Sequence, residues 1–324
     1  MWNSSPEVIF STLTNTSNTL ELPIDSLKLN FDESSLWMLN LALAFVMFGI
    51  ALELRVSDFR TVLQRPKSVL LGVTAQFLVL PALTYVLILL LEPHPSFALG
   101  MLLVACCPGG NVSNFMTHWA GGNSALSVCL TAIATLGAVI ITPVNFHFWG
   151  SLYPPTETLL QAIQIDFWAM AQLVGMLLGI PVLLGMALGH WKPALASRMA
   201  RYFKIGSLLF FALLVVLALA RDFDVFLDYV GLVFLLVLVH NLIALASGYT
   251  LARLFRLPQP DIKTLTIETG IQNSGLGLLL IFTFFGGLGG MALIAAFWGI
   301  WHLISGMAIA GFWSSPVALK PTKP

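Results

Sequence analysis

The chain of 324 residues is 58% hydrophobic and only 9% charged, whereas a soluble domain has about 25% charged residues. Its formal net charge is zero, which speaks against a nucleic-acid-binding protein. Long apolar runs recur in place of short alternating segments. The composition therefore excludes a soluble globular domain and a β-barrel, and predicts an all-α polytopic membrane protein.

Residues 1–34 are polar and rich in Ser, Thr and Asn, with no basic start followed by an apolar run, so no signal peptide is expected. The triplets Asn3-Ser4-Ser5 and Asn15-Thr16-Ser17 are formal glycosylation sequons. Such triplets are common by chance in this composition, and a disordered polar tail is expected. Nine apolar segments of spanning length follow, at 35–52, 68–91, 97–118, 124–148, 163–188, 205–221, 226–252, 264–286 and 290–313. The fifth could begin as an interfacial helix, because Glu157 and Asp166 flank its start.

Basic residues orient the spans, since Lys and Arg gather in cytoplasmic loops. Arg55, Arg60, Arg65 and Lys67 follow span one; Lys192, Arg198, Arg201 and Lys204 follow span five; Arg253, Arg256 and Lys263 follow span seven; Lys320 and Lys323 lie in the tail. The alternate loops are short or acidic, with Glu92, Glu157, Asp222, Asp224 and Asp228. This parity requires an odd number of spans, an external N-terminus and a cytoplasmic C-terminus. Cys106, Cys107 and Cys129 lie in apolar surroundings without metal-ligand spacing, and are expected to be small packing residues.

Two spans carry a break. Span three contains Cys106–Asn114, "CCPGGNVSN", and span eight contains Glu268–Gly275, "ETGIQNSG". Proline removes a backbone donor and glycine permits non-helical angles. Freed backbone groups survive at membrane depth only when buried in protein or lining a wet cavity. Two breaks point to a binding site, against the simpler reading of two kinked, closely packed helices. Glu268 lies inside its span, and no Lys or Arg lies deep in any span. Its compensation is a proton, a bound cation or dense hydrogen bonding, unless it reaches water at the inner boundary. Among the other polar residues in spans, Gln76, Ser127, Thr131, His240, Asn241 and His302 could serve interhelical hydrogen bonds or a ligand, and Ser127 and Thr131 share a helix face.

The breaks also occupy matching places. Span three is third of the four spans before the long outer loop, and span eight is fourth of the five after it. One missing helix at the front would give two five-helix halves of opposite direction. Broken helices at matching positions of inverted halves point to a secondary-transporter site, with half-helix N-termini facing an anion and carbonyl ends facing a cation.

At these residues the sequence resembles the bile acid:sodium symporter family. "CCPGGNVSN" is similar to its proline-glycine-glycine segment ending in Ser-Asn, and "LTIETGIQNSG", Leu265–Gly275, to its Glu-x-Gly-x-Gln-Asn segment. "AQFLVLPALTY", Ala75–Tyr85, and "GNSALSVCLTAIATL", Gly122–Leu136, fit in the same order, and the resemblance runs from about Leu36 to Phe312. It implies a panel domain (35–52 and 163–221) and a core domain (68–148 and 226–313), with two broken helices crossing in the core. The transporter domain would span 35–313 and residues 314–324 would form a cytoplasmic tail.

The resemblance further implies two sodium sites. Ser113, Asn114, Ser127, Thr131 and Glu268 would hold the first. Gln76, Glu268 and Gln272, with carbonyls around Thr269 and Ile271, would hold the second. Asn111, Asn273 and His302 become substrate contacts, although Leu303 stands where some relatives have Asn. The function so implied is sodium-coupled import of an amphipathic organic anion, such as a bile acid, by alternating access across a plasma or bacterial inner membrane. A proton-coupled transporter on the same scaffold and a passive channel are the alternatives. An enzyme is not expected, since the polar cluster has no nucleophile-base pair and no metal-ligand set.

Overall fold

A computed structural model describes residues 33–52, 66–163, 166–200, 202–203, 206 and 223–314. The N-terminal tail with both sequons, Arg55, Arg60, Arg65, Arg201, Lys204, nearly all of the sixth expected span and the tail with Lys320 and Lys323 lie outside the described residues.

Among the described residues the chain is helical, with no β-strand, and includes an isolated β-bridge. The elements are α1 (Glu33–Ala51), α2 (Pro66–Leu91), α3 (Pro95–Cys106), α4 (Val112–Trp119), α5 (Ser124–Leu152) and α6 (Pro154–Ile163). They continue with α7 (Phe167–Val174, Gly175–Gly179 and Ile180–Trp191 in succession), α8 (Phe223–Leu254), α9 (Gln259–Gly270), α10 (Ser274–Phe284) and α11 (Gly289–Ser314). Five of these helices are long and apolar enough to cross a membrane, and α3 and α10 are shorter apolar helices. α3 with α4, and α9 with α10, fill the third and eighth expected spans as two half-helices each.

The fifth span starts later than hydropathy suggests. Residue 163 ends α6, and Asp166 caps α7: its Oδ1 accepts from the amides of Trp168 at 2.8 Å and Ala169 at 3.2 Å. A carboxylate in this position satisfies donors that the first helical turn leaves free. Hydropathy counts only apolar length and does not register such a cap.

Two helices contain a π-helical turn, Ala75–Val79 in α2 and Gly175–Gly179 in α7. Each is followed two residues later by a proline, Pro81 and Pro181. Proline offers no N–H to the carbonyl four residues back and crowds it. In α2 that carbonyl belongs to Phe77, and Asn145 Nδ2 from α5 donates to it at 2.6 Å.

Helices approach closely where glycine lines the contact. A Cβ on Gly185 of α7 would stand 2.6 Å from Ala51 Cβ of α1. On Gly100 of α3 it would stand 2.9 Å from the Cα of Met291 in α11, and on Gly248 of α8 2.5 Å from the carbonyl oxygen of Leu265 in α9. In membrane bundles, where water does not drive helices together, small residues permit this backbone contact. α3 is buried along nearly its whole length, and so is α10 from Gly275 to Phe282. The two half-helices thus run through the middle of the bundle.

Candidate functional site

The two breaks meet each other. Gly109 and Gln272 form an isolated antiparallel bridge. Gly110 N donates to the Ile271 carbonyl at 2.7 Å and Asn273 N to the Pro108 carbonyl at 2.9 Å. Gly109 and Gly110 leave the helix, as expected of glycines at a break, but without a positive φ. The glycines with positive φ among the described residues are Gly121, Gly286 and Gly287. Gly110 serves close approach instead: a Cβ there would stand 2.8 Å from the carbonyl oxygen of Gln272. A Cβ on Gly109 would stand 3.2 Å from Glu268 Oε2.

Four of the freed carbonyls find side-chain partners, as burial favours. At the end of α3, the Cys106 carbonyl accepts from Thr142 Oγ1 at 2.7 Å, and that of Cys107 from Gln76 Nε2 at 2.8 Å. At the end of α9, the Thr269 carbonyl accepts from Gln272 Nε2 at 2.8 Å, and that of Gly270 from Asn241 Nδ2 at 2.8 Å. Thr142 and Asn145 were not singled out from the sequence. Their signal was a polar side chain inside an apolar span, with the partner far away in the chain.

Glu268 lies beside the crossing, buried to 6% exposure. Its Oε1 accepts from Ser113 Oγ at 2.7 Å and from Ser127 Oγ, and its Oε2 from Thr131 Oγ1 at 3.0 Å. Asn114 Oδ1 stands 2.8 Å from Ser127 Oγ and 3.3 Å from Thr131 Oγ1. Thr131 Oγ1 also lies 3.0 Å from the Ser127 carbonyl. With Glu268 ionised, these are six oxygen–oxygen contacts served by three hydroxyl protons, since Ser and Thr carry one each. Three contacts at most can be hydrogen bonds at once. The rest bring lone pairs together, an arrangement that a small cation among the oxygens would relieve. The described residues hold no group of three or more His, Cys, Asp or Glu side chains suited to a transition metal. Hydroxyl, amide and carboxylate oxygens suit a hard cation.

The second expected ligand set is arranged differently. Gln76, on the π-helical turn of α2, donates to Gln272 Oε1 at 2.7 Å, and Gln272 Nε2 returns toward Gln76 Oε1 at 3.3 Å. The carbonyls of Thr269 and Ile271 each already accept one hydrogen bond, which leaves each a second lone pair. Gln76, Gly109 and Glu268 line a small cavity with Gly72, Val73, Leu130 and Ala134.

Asn111 precedes α4 without capping it, and its buried Oδ1 has no partner. Asn273 caps α10 by accepting from Leu276 N at 3.1 Å, while its buried Nδ2 has none. His302 is buried on α11 and its Nδ1 is unpartnered. It shares a helix face with Gly299 and Gly306, three residues before and four after. A Cβ on Gly299 would meet Ser274 Oγ at 2.8 Å, and one on Gly306 would meet Ile271 Cδ1 at 2.7 Å. His302 therefore stands on the face of α11 that packs against the crossing. Asn241, besides holding Gly270, accepts from Ser305 Oγ at 2.6 Å, and His240 Nε2 lies 2.7 Å from Thr84 Oγ1. Both serve contacts between helices.

A model of the sodium bile acid symporter family matches residues 40–229, more than half of the chain. The chain belongs to that family. An uncharacterized sodium-dependent transporter of Bacillus subtilis, YocS, is 30% identical over 288 residues, covering 87% of this chain and 84% of that one. A probable chloroplastic sodium/metabolite cotransporter of Arabidopsis thaliana, BASS1, is 30% identical, covering 86% of this chain and 67% of its own length. The ileal sodium/bile acid cotransporter of Oryctolagus cuniculus is 27% identical, covering 74% and 67% respectively. Membership and the apolar helices make this a membrane-embedded, sodium-dependent transporter of the symport class.

Proposed function

We propose that this chain imports an amphipathic organic anion, a bile acid or a similar organic acid, driven by sodium through alternating access. The observation that carries the reading is the cluster at Glu268, where six oxygen–oxygen contacts share three protons. One sodium ion would sit among Ser113, Asn114, Ser127, Thr131 and Glu268. A second would use Glu268, Gln76 and Gln272, with the spare lone pairs of the Thr269 and Ile271 carbonyls; the Gln76–Gln272 amide pair would open to admit it. Beside the crossing, the unpartnered Asn273 Nδ2 would donate to the anion, with the amide N–H groups of Asn111 and a ring N–H of His302 as further donors. Sodium brings together α4, α5 and α9, and so favours one conformation of the crossing. Linkage then makes substrate and sodium strengthen each other's binding.

In this reading α1 and α7, closely packed at Gly185, belong to the panel. α2 to α5 and α8 to α11 form the core, which moves against the panel. The loops rich in Lys and Arg would face the cytoplasm, with the N-terminus outside. The work is transport and not catalysis, in keeping with relatives named as transporters and cotransporters.

The deciding experiment is proteoliposome uptake of a panel of organic anions with and without a sodium gradient, comparing wild type with Glu268→Ala. Accumulation should require the gradient in wild type and vanish in the variant. Full sodium dependence in Glu268→Ala would remove the ion site from Glu268.

A further inference from the structure

A second buried carboxylate lies on α9 two turns before Glu268, about 10 Å along the axis. Asp261 is 1% exposed in the first turn of α9, where the helix dipole favours a negative charge. Its Oδ2 accepts from Ser68 Oγ of α2 at 2.6 Å, and its Oδ1 from Asn123 Nδ2 at 2.8 Å.

Asn123 acts in two directions. Its Oδ1 caps α5 by accepting from Leu126 N at 3.1 Å, while its backbone N–H donates to Thr264 Oγ1 of α9 at 2.8 Å. Lys263 of α9 reaches the Ala120 carbonyl at the end of α4, at 2.6 Å. The turn between α4 and α5 is thus fastened to the first turns of α9 by Asp261, Lys263 and Thr264. One turn beyond Asn123 on α5 lies Ser127, with Thr131 following, and both meet Glu268. The same pair of helices is joined at two rungs, one at Asp261 and one at the oxygen cluster.

We propose that Asp261 is a positioning residue for sodium binding. Its bonds to Ser68 and Asn123 set the register of α5 against α9, and this register brings Ser127 and Thr131 onto Glu268. The inference rests on the assignment of sodium to Glu268. Hydroxyl oxygens ligate well only within a few tenths of an ångström of the right distance, so a slip at the first rung weakens the second without touching the ion. Asp261 has no ligand role in this proposal: each of its carboxylate oxygens accepts from a side chain of the protein.

The test is binding of radioactive sodium to the full-length protein in detergent, with its melting temperature measured in sodium-free buffer. Asp261→Asn should raise the half-saturating sodium concentration about tenfold, the loss of one charge-assisted pair. The exchange Asp261→Asn/Asn123→Asp keeps a carboxylate facing an amide and should bring the value back to within about threefold of wild type. A lower melting temperature with unchanged half-saturation would make Asp261 a purely structural residue and overturn the proposal. Glu268→Ala measured alongside separates the two readings. If it binds sodium as wild type does, the site assignment fails; if it alone loses binding while Asp261→Asn does not, only the positioning role fails. Should Asp261→Asn not fold, Ser68→Ala removes a single donor and should raise half-saturation about threefold; an unchanged value there would overturn the proposal equally.

Discussion

Ser113 donates to Glu268 at 2.7 Å across 155 positions of the chain, tying α4, which begins after the first break, to α9, which ends at the second. Both residues are buried. A carboxylate at this depth needs partners, and Ser113 supplies both a proton and an oxygen. Ser113→Ala removes a bond to a charged group worth about 1.5–3 kcal/mol, with one candidate ion ligand. Sodium for half-maximal uptake should rise about tenfold or more, with uptake at saturating sodium largely preserved. A sodium titration of initial uptake rates measures this, and an unchanged curve would take Ser113 out of the ion site.

Gly110 lies against the Gln272 carbonyl, and Gly110→Ala would place a methyl 2.8 Å from that oxygen. The obstacle is backbone held in a bridge, so the crossing itself must yield. Overpacking of this kind costs about 1–3 kcal/mol. The melting temperature in detergent should fall and sodium-driven uptake should be lost, because the displaced segment carries the ligands on both sides. A variant that melted and transported like wild type would show that the crossing is looser than the bridge implies.

Much of this centre was visible in the sequence because it violates the membrane's rules. "CCPGGNVSN" and "ETGIQNSG" place a helix breaker, glycines and a carboxylate where the surroundings are apolar. The outlines of most spans were equally legible from apolar length. The partners of the freed carbonyls were not: Thr142, Asn145 and Asn241 are polar residues within long apolar helices, and which carbonyl each one meets depends on tertiary packing. The π-helical turn carrying Gln76 was hidden for a related reason. Pro81 signals a disturbed carbonyl at Phe77, but whether a helix kinks or inserts a residue is decided by its neighbours. Asp261 was not singled out: it precedes the apolar run that begins at 264, and an acid at a helix N-terminus is ordinary.

Asn241 should prove structural, with no direct part in ion binding. Its amide holds the Gly270 carbonyl, and its oxygen takes the Ser305 hydroxyl. Asn241→Leu leaves the carbonyl buried and unpaired, a cost of about 1–3 kcal/mol. The melting temperature should drop by several degrees, at about 2–4 °C per kcal/mol. Radioactive sodium binding at low temperature, where the protein remains folded, should change by less than about threefold. A tenfold loss of sodium affinity would instead make Asn241 part of the positioning of the second site.

Pro81 and Asn145 should be energetically coupled through the Phe77 carbonyl. Proline denies that carbonyl its helical partner, and Asn145 Nδ2 replaces it at 2.6 Å. Asn145→Ala alone orphans the carbonyl and should destabilise by about 1–3 kcal/mol. Pro81→Ala alone should have little effect, since the π-helical turn is pinned on both sides. Ser68 holds Asp261 before it, and Thr84 meets His240 after it. In the double variant the new N–H at position 81 can reach the Phe77 carbonyl four residues back, so the loss caused by Asn145→Ala should shrink by about 1 kcal/mol or more. Thermal melts of the four proteins in detergent close the cycle. Additive effects would mean that Asn145 stabilises α2 by packing alone, and that Gln76 owes its place on the turn to something other than this proline.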